Sequence, residues 1–158
     1  MDNQSYQTDE QVKLRLQADI NTLVVLANTN SKSHGFWEGV DHNDPTVLGL
    51  KCALIHSETS ELLEAYRKDP KADCGKKFPD TYSDAEEDLT FSGGKFSGGA
   101  QRLIPGGPIG LNLEEEELAD IIIRVLDLAG QRNIDLGRAV LVKMAYNSTR
   151  PHKHGKTC

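Results

Sequence analysis

The stretch EEEELADIIIRVLDLAG, residues 114 to 130, has the length and periodicity of a helix but sets acids where apolar contact belongs. Its Ile121, Ile122, Ile123, Val125, Leu126 and Leu128 spread over most of a helical circumference, which predicts a helix buried on most sides. Glu117 and Asp120 stand one turn apart in that segment, flanked by Ile121 and Leu128 and on a face shared with Arg124. Burying an unpartnered carboxylate costs on the order of several kcal/mol, so these acids imply a bound cation or a compensating network. Glu114, Glu115 and Glu116 also suit the positive N-terminal end of a helix.

A second segment repeats the pattern. In HSETSELLEAYR, residues 56 to 67, acids recur at Glu58, Glu61 and Glu64. At about 100° per residue, with Leu50 at zero, Leu54 falls near 40°, Glu61 near 20°, Glu58 near 80° and Ala65 near 60°. Glu58 and Glu61 therefore lie within the apolar stripe of this helix and not opposite it. Alone, such a pair reads as two surface charges. With Glu117 and Asp120 on a second helix, a shared cation becomes the economical explanation, and four hard oxygen donors suit Mg²⁺, with Mn²⁺ as the alternative, far better than zinc.

Helix boundaries follow from local signals. Thr8 as N-cap with Gln11 at N3 opens a helix to about Asn28, striped by Leu16, Ile20, Leu23 and Ala27. Asp44-Pro45 opens the second, which ends near Arg67 before Asp69-Pro70. The third runs from about Leu113 to Gly130, whose glycine supplies a stop, and the fourth from Asp135 to about Asn147, before Arg150-Pro151. The fold class expected is all-α: one domain over residues 1–158, a bundle of four main helices with a Gly/Pro-rich insertion at about 69–112 and a basic tail at 148–158. The insertion contains FSGGKFSGGAQRLIPGGPIG but neither G-x-x-x-x-G-K-[ST] nor G-x-G-x-x-G, so a phosphate-binding loop is not expected there.

A formal charge of -6 argues against a nucleic acid polymer as partner, though a divalent cation would reverse the local field for a small polyphosphate. No apolar run approaches a membrane span, and the polar N-terminus MDNQSYQTDEQ lacks the pattern of a secretory signal. Cys52, Cys74 and Cys158 form no C-x-x-C pair and leave one over, which suits reduced thiols in a cytoplasm. At the fourth helix, KMAYNSTRP sets Lys143, Asn147 and Arg150 at i, i+4 and i+7, a set of donors that suits a phosphate chain.

In this order, SETSELLE (57–64), EELAD (116–120) and KMAYNSTRP (143–151) resemble the motifs of the all-alpha nucleoside triphosphate pyrophosphohydrolases, the MazG-like superfamily that includes dCTP pyrophosphatases and dimeric dUTPases. The resemblance covers about half the chain. It implies a helical bundle assembled as a homodimer or homotetramer, Mg²⁺ held by Glu58, Glu61, Glu117 and Asp120, and substrate contacts from Lys143, Asn147 and Arg150. It also implies hydrolysis of a nucleoside triphosphate to the monophosphate and pyrophosphate, for nucleotide pool housecleaning, with Glu58 or Glu61 as the base. His34, Phe36 and Trp37 in HGFWEG resemble the aromatic region with which dCTP-cleaving relatives hold a base. Two features depart from that pattern: the insertion, and Arg124 where some of those relatives carry an aromatic residue. The alternatives are a non-catalytic helical protein that binds a cation or a partner, and a phosphoribosyl-ATP pyrophosphohydrolase.

Overall fold

The computed structural model describes residues 8–76 and 110–151, which leaves residues 77–109 of the expected insertion and 152–158 of the tail outside the described residues. Four helices carry the described chain: α1 (Asp9–Ser33), α2 (Pro45–Lys68), α3 (Leu113–Gln131) and α4 (Leu136–Ser148). Among the described residues there is no strand beyond an isolated antiparallel bridge, Asp73 to Asn112. None of these helices is long and apolar enough to cross a membrane.

Each helix begins where a short polar side chain takes up orphan N–H groups. Thr8 and Gln11 form a reciprocal capping box on α1. Asp44 accepts from the Thr46 N–H at 2.8 Å before α2, and Asp135 from the Arg138 N–H at 3.0 Å before α4. Asn112 and Glu115 exchange two 2.9 Å bonds at the start of α3, a second capping box.

Two boundaries differ from expectation. Helix α1 runs on through Ser33, past Asn28, whose side chain turns inward to the Asp127 carboxylate of α3. Helix α3 does not stop at Gly130. It ends one residue later, at Gln131, and the turn after it is closed by Asn133, in the left-handed region at φ 52°, where the Ile134 N–H reaches the Ala129 carbonyl and the Asn133 N–H that of Gly130. Gly130 serves a different need. A Cβ there would lie 2.6 Å from the Asn28 Cβ, so the missing side chain lets α3 approach α1.

The described residues fall into two compact units, 8–58 with 120–151, and 59–76 with 110–119. In the first, Val24, Leu126 and Ala129 form a small core with Ala27 and Leu136 packed against it. Helix α4 packs on α1 so closely that a Cβ on Gly137 would sit 2.3 Å from the Gln17 carbonyl oxygen. Asp135 holds that junction by accepting from Gln17 and Asn21, at 2.9 and 2.8 Å. In the second unit Ala65 is buried, Glu116 pairs with Lys76, and Glu114 takes both Lys71 and the Tyr66 hydroxyl.

The expectation that α3 is buried on most sides is corrected: Ile122 and Ile123 are 54% and 47% exposed, since the described chain supplies no element to cover that side. Leu16 and Leu23 of the α1 stripe are likewise exposed.

Candidate metal and phosphate site

Glu58 is buried on α2, and one oxygen of its carboxylate accepts from the Arg124 guanidinium of α3. In the same unit, a carboxylate oxygen of Asp120 lies within 4.8 Å of one from Glu58. Asp120, Arg124 and Asp127 stand at i, i+4 and i+7 on α3, hence on one face, and Lys51 and Glu58 stand seven residues apart on α2. Charges alternate along these faces. Lys51 Nζ lies 3.8 Å above the Trp37 ring and donates to the Phe36 carbonyl at 3.4 Å. Burial lowers the Lys51 pKa, the Asp127 carboxylate opposes that shift, and the nearby Arg124 charge adds to it.

Asp127 ties the loop after α1 to α3. Its buried carboxylate accepts from the Trp37 indole N–H at 2.8 Å, the Asn28 amide at 2.9 Å and the Ser31 hydroxyl at 2.9 Å. Arg132 adds a second tie, donating to the His42 carbonyl at 3.2 Å and the Asn43 side chain at 3.0 Å. Trp37 is thus held by an edge bond, with a cation over one face and His42 in a T-shaped contact at 5.7 Å. Its companion His34 is exposed, and its Nδ1–H points at the Asn30 carbonyl, 2.8 Å away.

The other two predicted ligands lie in the second unit. Glu61 is exposed and Glu117 half-buried, and both line an open groove of about 250 Å³ together with Glu64, Ala65, Lys68 and Leu113. Glu64 is engaged with Arg67 at 2.6 Å. At the start of α3, the Lys71 ammonium and the Tyr66 hydroxyl hold the Glu114 carboxyl below its usual range, and Glu114 raises both partners in return.

On α4, Lys143 is exposed, with its ammonium 5.0 Å from the Tyr146 ring, and Arg150 is exposed past the helix end. Asn147 is half-buried, and its side-chain oxygen is sequestered from solvent without a hydrogen-bond partner. The structure therefore brings Glu58 to Asp120 in one unit and Glu61 to Glu117 along one groove in the other. Lys51, Asp127 and Asn28 were not singled out from sequence. The signal available was spacing, with Asp127 two turns beyond Asp120 and Lys51 two turns before Glu58.

Glu58 and Asp120 offer the kind of oxygen donors that could hold a hard divalent ion. Two oxygens on one Mg²⁺ at about 2.1 Å are roughly 3 to 4 Å apart, so this pair, within 4.8 Å and with one Glu58 oxygen on Arg124, would have to move closer to share a single ion. Compared with protein-family models, curated proteins and solved structures, the chain matches none of them.

Proposed function

We propose that this chain is a Mg²⁺-dependent nucleoside triphosphate pyrophosphohydrolase acting in nucleotide housecleaning. The observation that carries the proposal is the approach of the Glu58 and Asp120 carboxylates to within 4.8 Å, with Glu58 buried. Two carboxylates that close repel each other, and a divalent cation between them would relieve that repulsion more fully than the single charge of Arg124 on Glu58. The family resemblance of the sequence adds Glu61 and Glu117, three residues from Glu58 and Asp120 along the chain, as further ligands. Mg²⁺, when bound, neutralises the triphosphate and makes water a better nucleophile. Glu61 is exposed, hence reachable by water, and accepts its proton as the α-phosphorus is attacked and pyrophosphate leaves. Lys143 and Arg150 offer exposed cations, and Asn147 an amide, to the phosphate chain. His34 and Trp37 stand in the loop that would border the base. The working form is a homo-oligomer, which would cover apolar side chains such as Ile122, Ile123, Leu16 and Leu23.

One observation favours a second reading. Glu58 already has a compensating cation in Arg124, a pairing that would satisfy the buried carboxylate without metal in a helical assembly protein. Melting curves separate the two. With Mg²⁺ and a non-hydrolysable triphosphate at about 100 times Kd, the enzyme gains about 2.7 kcal/mol, or roughly 5 to 10 °C in Tm. Glu61→Ala loses that shift. An unchanged Tm across nucleotides and divalent metals supports the assembly protein.

A further inference from the structure

Arg124 is left over by that function. It takes one oxygen of the Glu58 carboxylate that a metal would need, and a divalent cation on the other oxygen would repel the guanidinium at close range. The members of the pair differ in exposure: the Glu58 side chain is 7% exposed and that of Arg124 is 40% exposed, so the guanidinium is the partner able to leave. Its departure would strand a buried carboxylate unless another cation arrived. Lys51 is the second cation of the cluster. It is held by a carbonyl and an aromatic face, and it feels the Arg124 charge. An anion placed against both would relieve their repulsion, and a phosphate chain matches a forked guanidinium beside a point charge.

Resting on the function proposed above, we propose that Arg124 stands in for the divalent cation when none is bound and turns, with Lys51, to the phosphate chain of the substrate when a divalent cation takes the Glu58 carboxylate. Metal binding and phosphate binding are then coupled through one side chain. Arg124 is a substrate-binding residue in the loaded protein and a competitor of metal in the empty one.

The test is calorimetric titration of the full chain with Mg²⁺ alone, then with inorganic triphosphate in the presence of Mg²⁺, for the wild type, Arg124→Gln and Arg124→Lys. Removing the competitor in Arg124→Gln should tighten Mg²⁺ binding about threefold or more, while losing the fork weakens triphosphate binding by about tenfold or more. Arg124→Lys keeps a positive charge beside Glu58; it should bind Mg²⁺ like the wild type and triphosphate more weakly. Should Arg124→Gln fail to fold, Trp37 decides. It is the single tryptophan of the chain, and Lys51 lies over its ring. Saturating Mg²⁺ and triphosphate should change its emission in the wild type. Unchanged emission overturns the proposal, as does an Arg124→Gln chain that binds Mg²⁺ no more tightly than the wild type, because Arg124 is then a fixed counter-ion. Wild type that binds neither Mg²⁺ nor triphosphate overturns the parent function as well, so the two failures are distinguishable.

Discussion

Gly137→Ala sets helix propensity against packing. An alanine Cβ at this position would lie 2.3 Å from the Gln17 carbonyl oxygen, 2.9 Å from its Cα and 3.0 Å from its carbonyl carbon, all backbone atoms that no rotamer change can move. Ordinary contact begins near 3.4 Å, so α4 must retreat from α1 by about 1.1 Å or tilt. Such a retreat also stretches the 2.9 Å bond from the Gly137 N–H to the Asn21 side chain. Overpacking of this kind costs about 1 to 3 kcal/mol, and alanine's helix preference recovers less than about 1 kcal/mol in a first turn. The net loss of about 1 to 2 kcal/mol corresponds to a Tm lower by roughly 2 to 8 °C. Gly49 is the internal control. It lies inside α2 with nothing within 4 Å of the place a methyl would take, so Gly49→Ala should raise stability by about 0.5 to 1 kcal/mol. Urea unfolding followed by circular dichroism measures both. A Gly137→Ala protein as stable as the wild type would refute the close approach of α4 to α1, and with it the placement of Lys143, Asn147 and Arg150.

Asp135 supplies a pH dependence. Its carboxyl is held below the usual range, first by the Asn21 amide, then by the Arg138 N–H and by Gln17. A depressed folded pKa contributes stability above the unfolded value and loses it as pH falls through the folded value. The gap in urea midpoint between wild type and Asp135→Ala should therefore be widest near neutrality and close below about pH 4, whereas a constant gap would contradict the assignment. Asp127→Ala leaves the Trp37 indole N–H buried without its acceptor and takes one acceptor each from Asn28 and Ser31, for a loss of about 2 to 5 kcal/mol and a red-shifted Trp37 emission; an unshifted spectrum would mean that Asp127 does not hold the indole. Tyr66 should ionise above the usual phenol range and return towards it in Glu114→Gln, read by ultraviolet difference titration; coincident curves would remove the Tyr66–Glu114 contact.

Much of the helical frame is legible in sequence because helix starts are local chemistry. Thr8, Asp44-Pro45 and Asp135 each act on N–H groups two or three residues ahead, so short windows contain the cause. The end of α3 is less readable. Gly130 looks like a stop, yet its glycine answers to Asn28 on α1, about a hundred residues away in sequence, while the left-handed residue is Asn133. Burial is less readable still. Ile121, Ile122 and Ile123 are one residue type on three successive faces of the wheel, and the exposure of the latter two depends on which neighbours the chain supplies. In the candidate site, i, i+3 spacing identifies acids that share a face. It does not say that Glu58 is buried and Glu61 exposed, nor that Arg124 pairs with Glu58 on the other helix. Those outcomes depend on how two helices meet, which no single helix encodes.

The most direct test of the central claim is pyrophosphate release by the purified chain with Mg²⁺ against a panel of common and damaged nucleoside triphosphates, with Glu61→Ala run in parallel. Pyrophosphate and the matching monophosphate should appear in equal amounts, dependent on Mg²⁺ and lost in Glu61→Ala. Absence of release from every nucleotide by folded protein, with Mg²⁺ or Mn²⁺, or release that survives Glu61→Ala undiminished, would contradict that claim.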